Sequence, residues 1–199
     1  MIKTIRDPQR GSREGLTLAK VVRFLTLPFR PSHLETYLAV ERFEDIPVDQ
    51  LIADGIEGLL LDADGTLGIH HARNFPESTV QQVRKMLGKG LKVAIYTNSM
   101  DDRFDQFSEV KVVTRVPAKP DRRGFEAAMN DYLHLDDPSK VCMIGDNYIT
   151  DGGALSAGMK FIHVKPVKGN EGFFHFLTRN FAYLCARFYS RDTFRNSRR

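Results

Sequence analysis

The 199-residue chain has no tryptophan and only two cysteines, Cys142 and Cys185. They form neither a CxxC pair nor a zinc-ligand spacing, which excludes a disulfide framework and a zinc site by motif. Both read as packed free thiols of a reducing compartment. No run approaches the roughly 18 consecutive apolar residues that a membrane-spanning helix needs. The opening stretch MIKTIRDPQRGSREG lacks the apolar core of a secretory signal, and Asp7 and Glu14 count against a mitochondrial transit peptide. The expectation is a cytoplasmic protein, with peripheral contact on the inner face of a membrane left open. Internal repeats and long low-complexity segments are also missing.

What is present is the balance of a soluble domain that can bury a core: 42% hydrophobic and 27% charged residues, with fourteen phenylalanines. The net charge of +4 is unevenly spread. Residues 1–30 carry seven Lys or Arg against two acids, and residues 165–199 carry eight against two. The stretch between holds fourteen bases and twenty-one acids. An acidic body between two basic ends suggests an anionic partner, either a membrane surface or a nucleic acid, or else a pair of solvated tails.

Leu18, Val21, Val22 and Leu25 recur at helical spacing with Lys20 and Arg23 between them, and Pro28 and Pro31 stop the segment. PSHLETYLAV and IPVDQLIADG read as short helices or turns. From there, strand and helix alternate. IEGLLLDA, LKVAIYTNS, KVVTR, KVCMIGDN and KFIHV read as strands, the longer ones continuous apolar runs covered on both faces. PESTVQQVRKMLGKG has a stripe of Val80, Val83 and Leu87, and DRRGFEAAMNDYLHL one of Phe125, Ala128, Met129 and Leu133. TDGGALSAGM is a short third helix. The alternation predicts an α/β, three-layer Rossmann-like fold with a parallel central sheet. It divides the chain into a basic, amphipathic N-terminal segment (1–45), a core (46–166) and a basic, Phe-rich C-terminal helix (167–199).

Ligands of such sheets bind beyond the carboxyl ends of the strands. Asp62 follows the first apolar strand, Thr97 the second and Asp146 the fourth, so one sheet edge collects them. Taken with DADGT, YTNS, AKP and GDNYITD, this pattern resembles the haloacid dehalogenase (HAD) superfamily of phosphohydrolases. The family's four ordered motifs are met by Asp62, Asp64 and Thr66; by Thr97; by Lys119; and by Gly145, Asp146 and Asp151. An EF-hand reading of DADG fails, because Gly65 falls fourth rather than sixth and Arg73 stands where a glutamate belongs.

The resemblance implies that Asp62 is a nucleophile forming an aspartyl-phosphate and that Asp64 is the general acid and base. It implies Mg²⁺ held by Asp62, Asp146 and the Asp64 main-chain carbonyl, with Thr66 and Asp151 in support. Thr97, the Asn98 main-chain N–H and Lys119 would hold the substrate phosphate. A cation is chemically required, because a phosphomonoester dianion repels an attacking carboxylate. His70 and His71 are adjacent, poor geometry for a shared metal, and solvent exposure is expected for them. Arg115, Arg122 and Arg123 flank Lys119 and read equally as a grip on a second anionic group or as a solvated face.

The intervals Asp64–Thr97 and Thr97–Lys119 are too short for the cap domains that select substrates in many relatives. Phe173, Phe174, Leu177, Phe181, Leu184 and Phe188 then follow helical spacing, with Arg179, Arg187, Arg191, Arg195, Arg198 and Arg199 around or beyond them. Such a helix packs on its own core or lies on an anionic membrane surface. The lead-in PSHLETYLAV, the absent cap and GDNYITDGGALSAGM resemble the IIIA subfamily of HAD phosphatases, which includes the mitochondrial-type phosphatidylglycerophosphatases. That similarity implies a phospholipid-headgroup phosphomonoester as substrate and phosphatidylglycerol as product. A soluble phosphatase of a sugar phosphate or nucleotide is the second reading. A nucleic-acid-binding or end-processing phosphatase is the third, and the aromatic and glycine patterns of common RNA modules are missing. No oligomeric state follows from the sequence.

Overall fold

The computed structural model describes residues 17–99, 102–169 and 172–196, apart from the side chains of Ala19, Phe174, Arg195 and Asn196. The basic residues 1–16 and the arginines at 198 and 199 lie outside the described residues, as do the side chains of Phe174 and Arg195. Six parallel strands form one sheet in the order β1-β6-β5-β2-β3-β4. They are β1 (Leu38–Val40), β2 (Gly58–Leu61), β3 (Lys92–Ile95), β4 (Lys111–Val112), β5 (Val141–Gly145) and β6 (Lys160–Val164). Helices α1 (Leu18–Thr26), α2 (Val48–Ala53), α3 (Glu77–Gly88), α4 (Arg122–Ala127), α5 (Gly153–Ser156), α6 (Phe173–Tyr189) and α7 (Arg191–Asn196) cover it.

The period of two along each strand sorts the core into two layers. Leu59, Leu61, Cys142 and Ile144 point to one face and pack with Val80, Val83 and Met86 of α3. Leu60, Ala94, Met143 and Phe161 point to the other, against Phe125, Ala128 and Met129. The three-layer parallel α/β fold expected from the sequence is therefore present. Two details differ. The stripe of α3 is completed by the fully buried Met86, with Leu87 only partly buried. More substantially, PSHLETYLAV is not only turns: Leu38–Val40 add a sixth strand, paired in parallel with Ile162–Val164.

The two terminal helices contribute polar and small residues to the interior, with much of their apolar surface outside. On α1, Lys20 and Arg23 are buried while Leu18, Val22 and Leu25 are exposed. Arg23 is drawn inward by hydrogen bonds from Nε to the Tyr148 carbonyl at 3.1 Å and from Nη1 to Ser156 Oγ at 3.4 Å. On α6 the inward stripe is Arg179, Ala182 and Ala186, whereas Phe173, Phe176, Leu177, Phe181, Leu184 and Phe188 are exposed. Alanine lets the helix backbone sit close to the core. Among the described residues, no helix is long and apolar enough to cross a membrane.

Candidate active site

The carboxyl ends of β2, β3 and β5 converge on a cavity of about 760 Å³. Strand register brings them together: Leu61 pairs with Ile95 on one side and Ile144 on the other. Asp62, Thr97 and Asp146 follow within two residues of those partners, and all three are buried. Asp64, Asn98 and Lys119 also line the cavity. The first turn after β2 depends on Gly65, whose φ is +87°, a region that penalises a side chain. A Cβ there would stand 2.6 Å from Asp146 Oδ2. The glycine therefore permits both the turn and the approach of the two acidic loops.

Lys119 is the cationic hub. Its Nζ donates to Asp62 Oδ1 and to Asp151 Oδ1, each at 2.5 Å. Burial works against its charge, but Asp151 and Asp62 outweigh burial and raise its pKa. Its backbone is clamped by Asn98, whose Oδ1 accepts from the Lys119 N–H at 2.8 Å and whose Nδ2 donates to the Lys119 carbonyl at 3.0 Å. The sequence assigned Asn98 a main-chain role only; this side-chain clamp is additional. Thr97 Oγ1 accepts from the Ser99 N–H at 3.1 Å, which fixes the start of the loop after β3. Thr66, within this first turn, is buried.

Asp62, Asp146 and Asp151 place carboxylate oxygens within 4.8 Å of one another. Burial and the charge on Asp151 push Asp62 up to about 7, against the pull of Lys119. Burial, then Asp151 and Asp62, raise Asp146 well above the usual carboxylate range. Asp151 is engaged at both oxygens, by Lys119 and by the Asn147 N–H at 3.1 Å. A buried, all-oxygen donor set under mutual repulsion fits a hard divalent cation. The Asp64 side chain lines the same cavity outside this cluster: Oδ1 accepts from the His71 N–H and Oδ2 from Arg103 Nη2, both at 2.6 Å.

Two arginines of the site carry no motif. Arg103 also donates to the Ala72 carbonyl at 2.9 Å and is buried. Arg179, from α6, donates to Asp146 Oδ2 at 3.0 Å. No sequence signal links Arg103 to Asp64, and Arg179 reads only as one charge of a basic helix. Conversely, Arg122 pairs with Glu126 and Arg123 with Asp121 on the surface, and Arg115 is exposed; none lines the cavity. His70 and His71 both do, His71 exposed and His70 half-buried with its ring edge-on to His175 at 5.4 Å. For His70 the expected solvent exposure is thus only partly met.

A HAD-hydrolase-like family model matches residues 116–170, the stretch that holds Lys119, Asp146 and Asp151. A protein named probable phosphatase YqeG, from Bacillus subtilis (strain 168), is 28% identical over 138 residues, 67% of this chain and 78% of its own. Among solved structures, an uncharacterized protein from Listeria monocytogenes serotype 4b aligns over 58% of this chain and 84% of its own, with 18% identity and a TM-score of 0.46. The parallel fold and the buried carboxylate cavity are those expected of a HAD-like hydrolase, to which residues 116–170 are similar. Together the two matches support a phosphatase enzyme.

Proposed function

We propose that the protein is a Mg²⁺-dependent phosphomonoester hydrolase that forms an aspartyl-phosphate on Asp62 and acts on a phospholipid headgroup, converting phosphatidylglycerophosphate to phosphatidylglycerol. The free oxygen of Asp62 attacks phosphorus as the P–O bond to the leaving alcohol breaks. Asp64 gives its proton to the departing oxygen, then takes one from the water that attacks the acyl-phosphate, releasing inorganic phosphate and Asp62. Lys119 stays on Asp62 and offsets charge on the phosphoryl oxygens, while Thr97 and the Asn98 main-chain N–H would hold those oxygens. Asp62, Asp146 and the Asp64 carbonyl would hold the cation, with Asp151 and Thr66 supporting them. When bound, the cation screens nucleophile from phosphate and polarises the phosphoryl group.

One observation carries the lipid reading: the cavity opens beside the exposed apolar surface of α1 and α6. Phe24 of α1 lines the cavity and meets Phe181 of α6 with ring centroids 5.4 Å apart. On or next to the same two helices Leu18 is 79% exposed, Phe29 84% and Phe173 78%. Such a surface marks an interaction site. Arg30, Arg187 and Arg191 are exposed on or next to these elements, and basic residues flanking an apolar helix face suit an anionic bilayer. Among the described residues, no cap separates this surface from the cavity.

Phosphate release from phosphatidylglycerophosphate vesicles, beside a panel of soluble phosphate esters, tests the proposal. Preferential hydrolysis on vesicles is expected, together with salt-sensitive binding to anionic liposomes that Leu184→Glu weakens. Preference for soluble sugar phosphates or nucleotides, with the apolar face covered by another copy of the chain, would replace it with the alternative reading.

A further inference from the structure

We propose that His163 is a positioning residue for the acidic loop after β5: its ring holds the peptide that joins Asp146 to Asn147, and through it the Asp146 and Asp151 carboxylates. The inference concerns a residue outside the cavity and rests on the hydrolase reading only for what those carboxylates do.

His163 stands near the end of β6, paired in parallel with Gly145, the residue before Asp146. It is 3% exposed. Four aromatic side chains surround its ring. Tyr148 stacks on it with centroids 5.3 Å apart and planes 13° from parallel. Tyr183 of α6 lies at 5.0 Å, Phe194 of α7 at 6.0 Å and Phe161 at 6.5 Å. Burial, followed by the charge on Arg179, pushes the imidazole down to about 3, so the ring is neutral and carries a single N–H. Among the described residues Nε2 has no hydrogen-bond partner. The ring's hydrogen bond to the Asp146 backbone therefore comes from Nδ1, which donates to the Asp146 carbonyl.

That carbonyl and the Asn147 N–H belong to one planar peptide unit. The N–H end donates to Asp151 Oδ2 at 3.1 Å. The peptide is thus held at both ends, by His163 on one side and by Asp151 on the other. Rotating it would shift Asp146 and release an oxygen of Asp151 at once, and these are two of the three clustered acids. Groups behind metal ligands set the ligands' orientation in this way. Packing alone does not account for a histidine here. Phenylalanine would fill the same aromatic surroundings without burying an unsatisfied Nε2 acceptor, which costs stability. A polar ring kept at that cost is explained by what its Nδ1–H holds.

The test compares wild type with two variants. His163→Phe keeps the packing and loses the donor; His163→Asn is smaller, but its Nδ2 takes the place of Nδ1. Calorimetric titration of the metal-free proteins with Mg²⁺ should show about tenfold weaker binding for His163→Phe and near-wild-type binding for His163→Asn. Thermal melting should run the other way, with His163→Phe at or above the wild-type temperature and His163→Asn below it. Unchanged Mg²⁺ affinity in His163→Phe, or weakened affinity in folded His163→Asn, would overturn the assignment. Hydrogen exchange of the Asn147 amide, measured without metal, reads the same peptide directly. It should quicken about tenfold in His163→Phe and stay near the wild-type rate in His163→Asn. An unchanged rate in His163→Phe would overturn the assignment even if Mg²⁺ binding weakened. The expected exchange pattern in a protein whose wild type releases no phosphate would retain the positioning role and sink the hydrolase reading.

Discussion

Arg179 Nη1 lies 3.0 Å from Asp146 Oδ2, and both side chains are buried. The C-terminal helix is thereby part of the acidic cavity, since its inward arginine neutralises one of the three clustered carboxylates. Removing one partner of a buried pair leaves an uncompensated charge, at a cost of about 3–5 kcal/mol. Arg179→Met should lower the stability of the metal-free protein by that order. Saturating Mg²⁺ should recover part of the loss, because the cation replaces the missing positive charge. Thermal melting with and without Mg²⁺ measures both effects.

Arg103 holds Asp64 as Arg179 holds Asp146. With the guanidinium gone, Asp64 keeps only the His71 N–H at 2.6 Å and is no longer fixed. Small misplacements of a reacting group can cost about 10²-fold. Arg103→Ala should therefore reduce kcat by about that factor on alkyl phosphates, whose leaving oxygen needs a proton. The loss on p-nitrophenyl phosphate should be much smaller, since nitrophenolate departs unaided. Equal losses on both substrates would show that Arg103 acts on something other than proton transfer.

The motifs were legible because they end contiguous apolar runs, and β2, β3 and β5 are neighbours in the sheet. Asp62, Thr97 and Asp146 follow from that geometry. Arg103 and Arg179 reach their partners across 39 and 33 residues of chain, and no periodicity encodes such contacts. The strand Leu38–Val40 escaped because three residues carry too little pattern, and only its pairing to β6 defines it. Periodicity found α1 and α6 as helices but could not say which face turns inward. That depended on Arg23 finding the Tyr148 carbonyl and on Ala182 and Ala186 allowing close packing.

The carboxylate cluster makes metal-free stability fall with pH. Asp62 titrates at about 7 in the folded protein against an ordinary 3.8, with burial as the leading cause and Asp151 next. Between those values the unfolded chain has released its proton while the folded chain retains it. The unfolded state therefore binds fewer protons, and rising pH favours unfolding across this window. A cation reverses the penalty by binding the ionised cluster. The Mg²⁺-induced rise in melting temperature should be small near pH 5 and large near pH 7.5. A pH-independent rise would place the metal away from Asp62.

Gly65 should tolerate no side chain. Alanine would adopt a left-handed conformation at a cost of roughly 1–2 kcal/mol, and its Cβ would press on Asp146 Oδ2 at 2.6 Å. Gly65→Ala should fold with reduced stability and bind Mg²⁺ far more weakly in a calorimetric titration. Unchanged Mg²⁺ affinity would show that the Asp146 carboxylate does not hold the ion.

The central claim is that Asp62 carries the phosphoryl group. Acid quenching during turnover, followed by borohydride reduction and peptide mass spectrometry, examines that residue directly. Asp62 should be converted to homoserine in a substrate-dependent and Mg²⁺-dependent manner, with no conversion in Asp62→Asn and no turnover by that folded variant. Full activity of Asp62→Asn, or reduction of a different carboxylate, would contradict it.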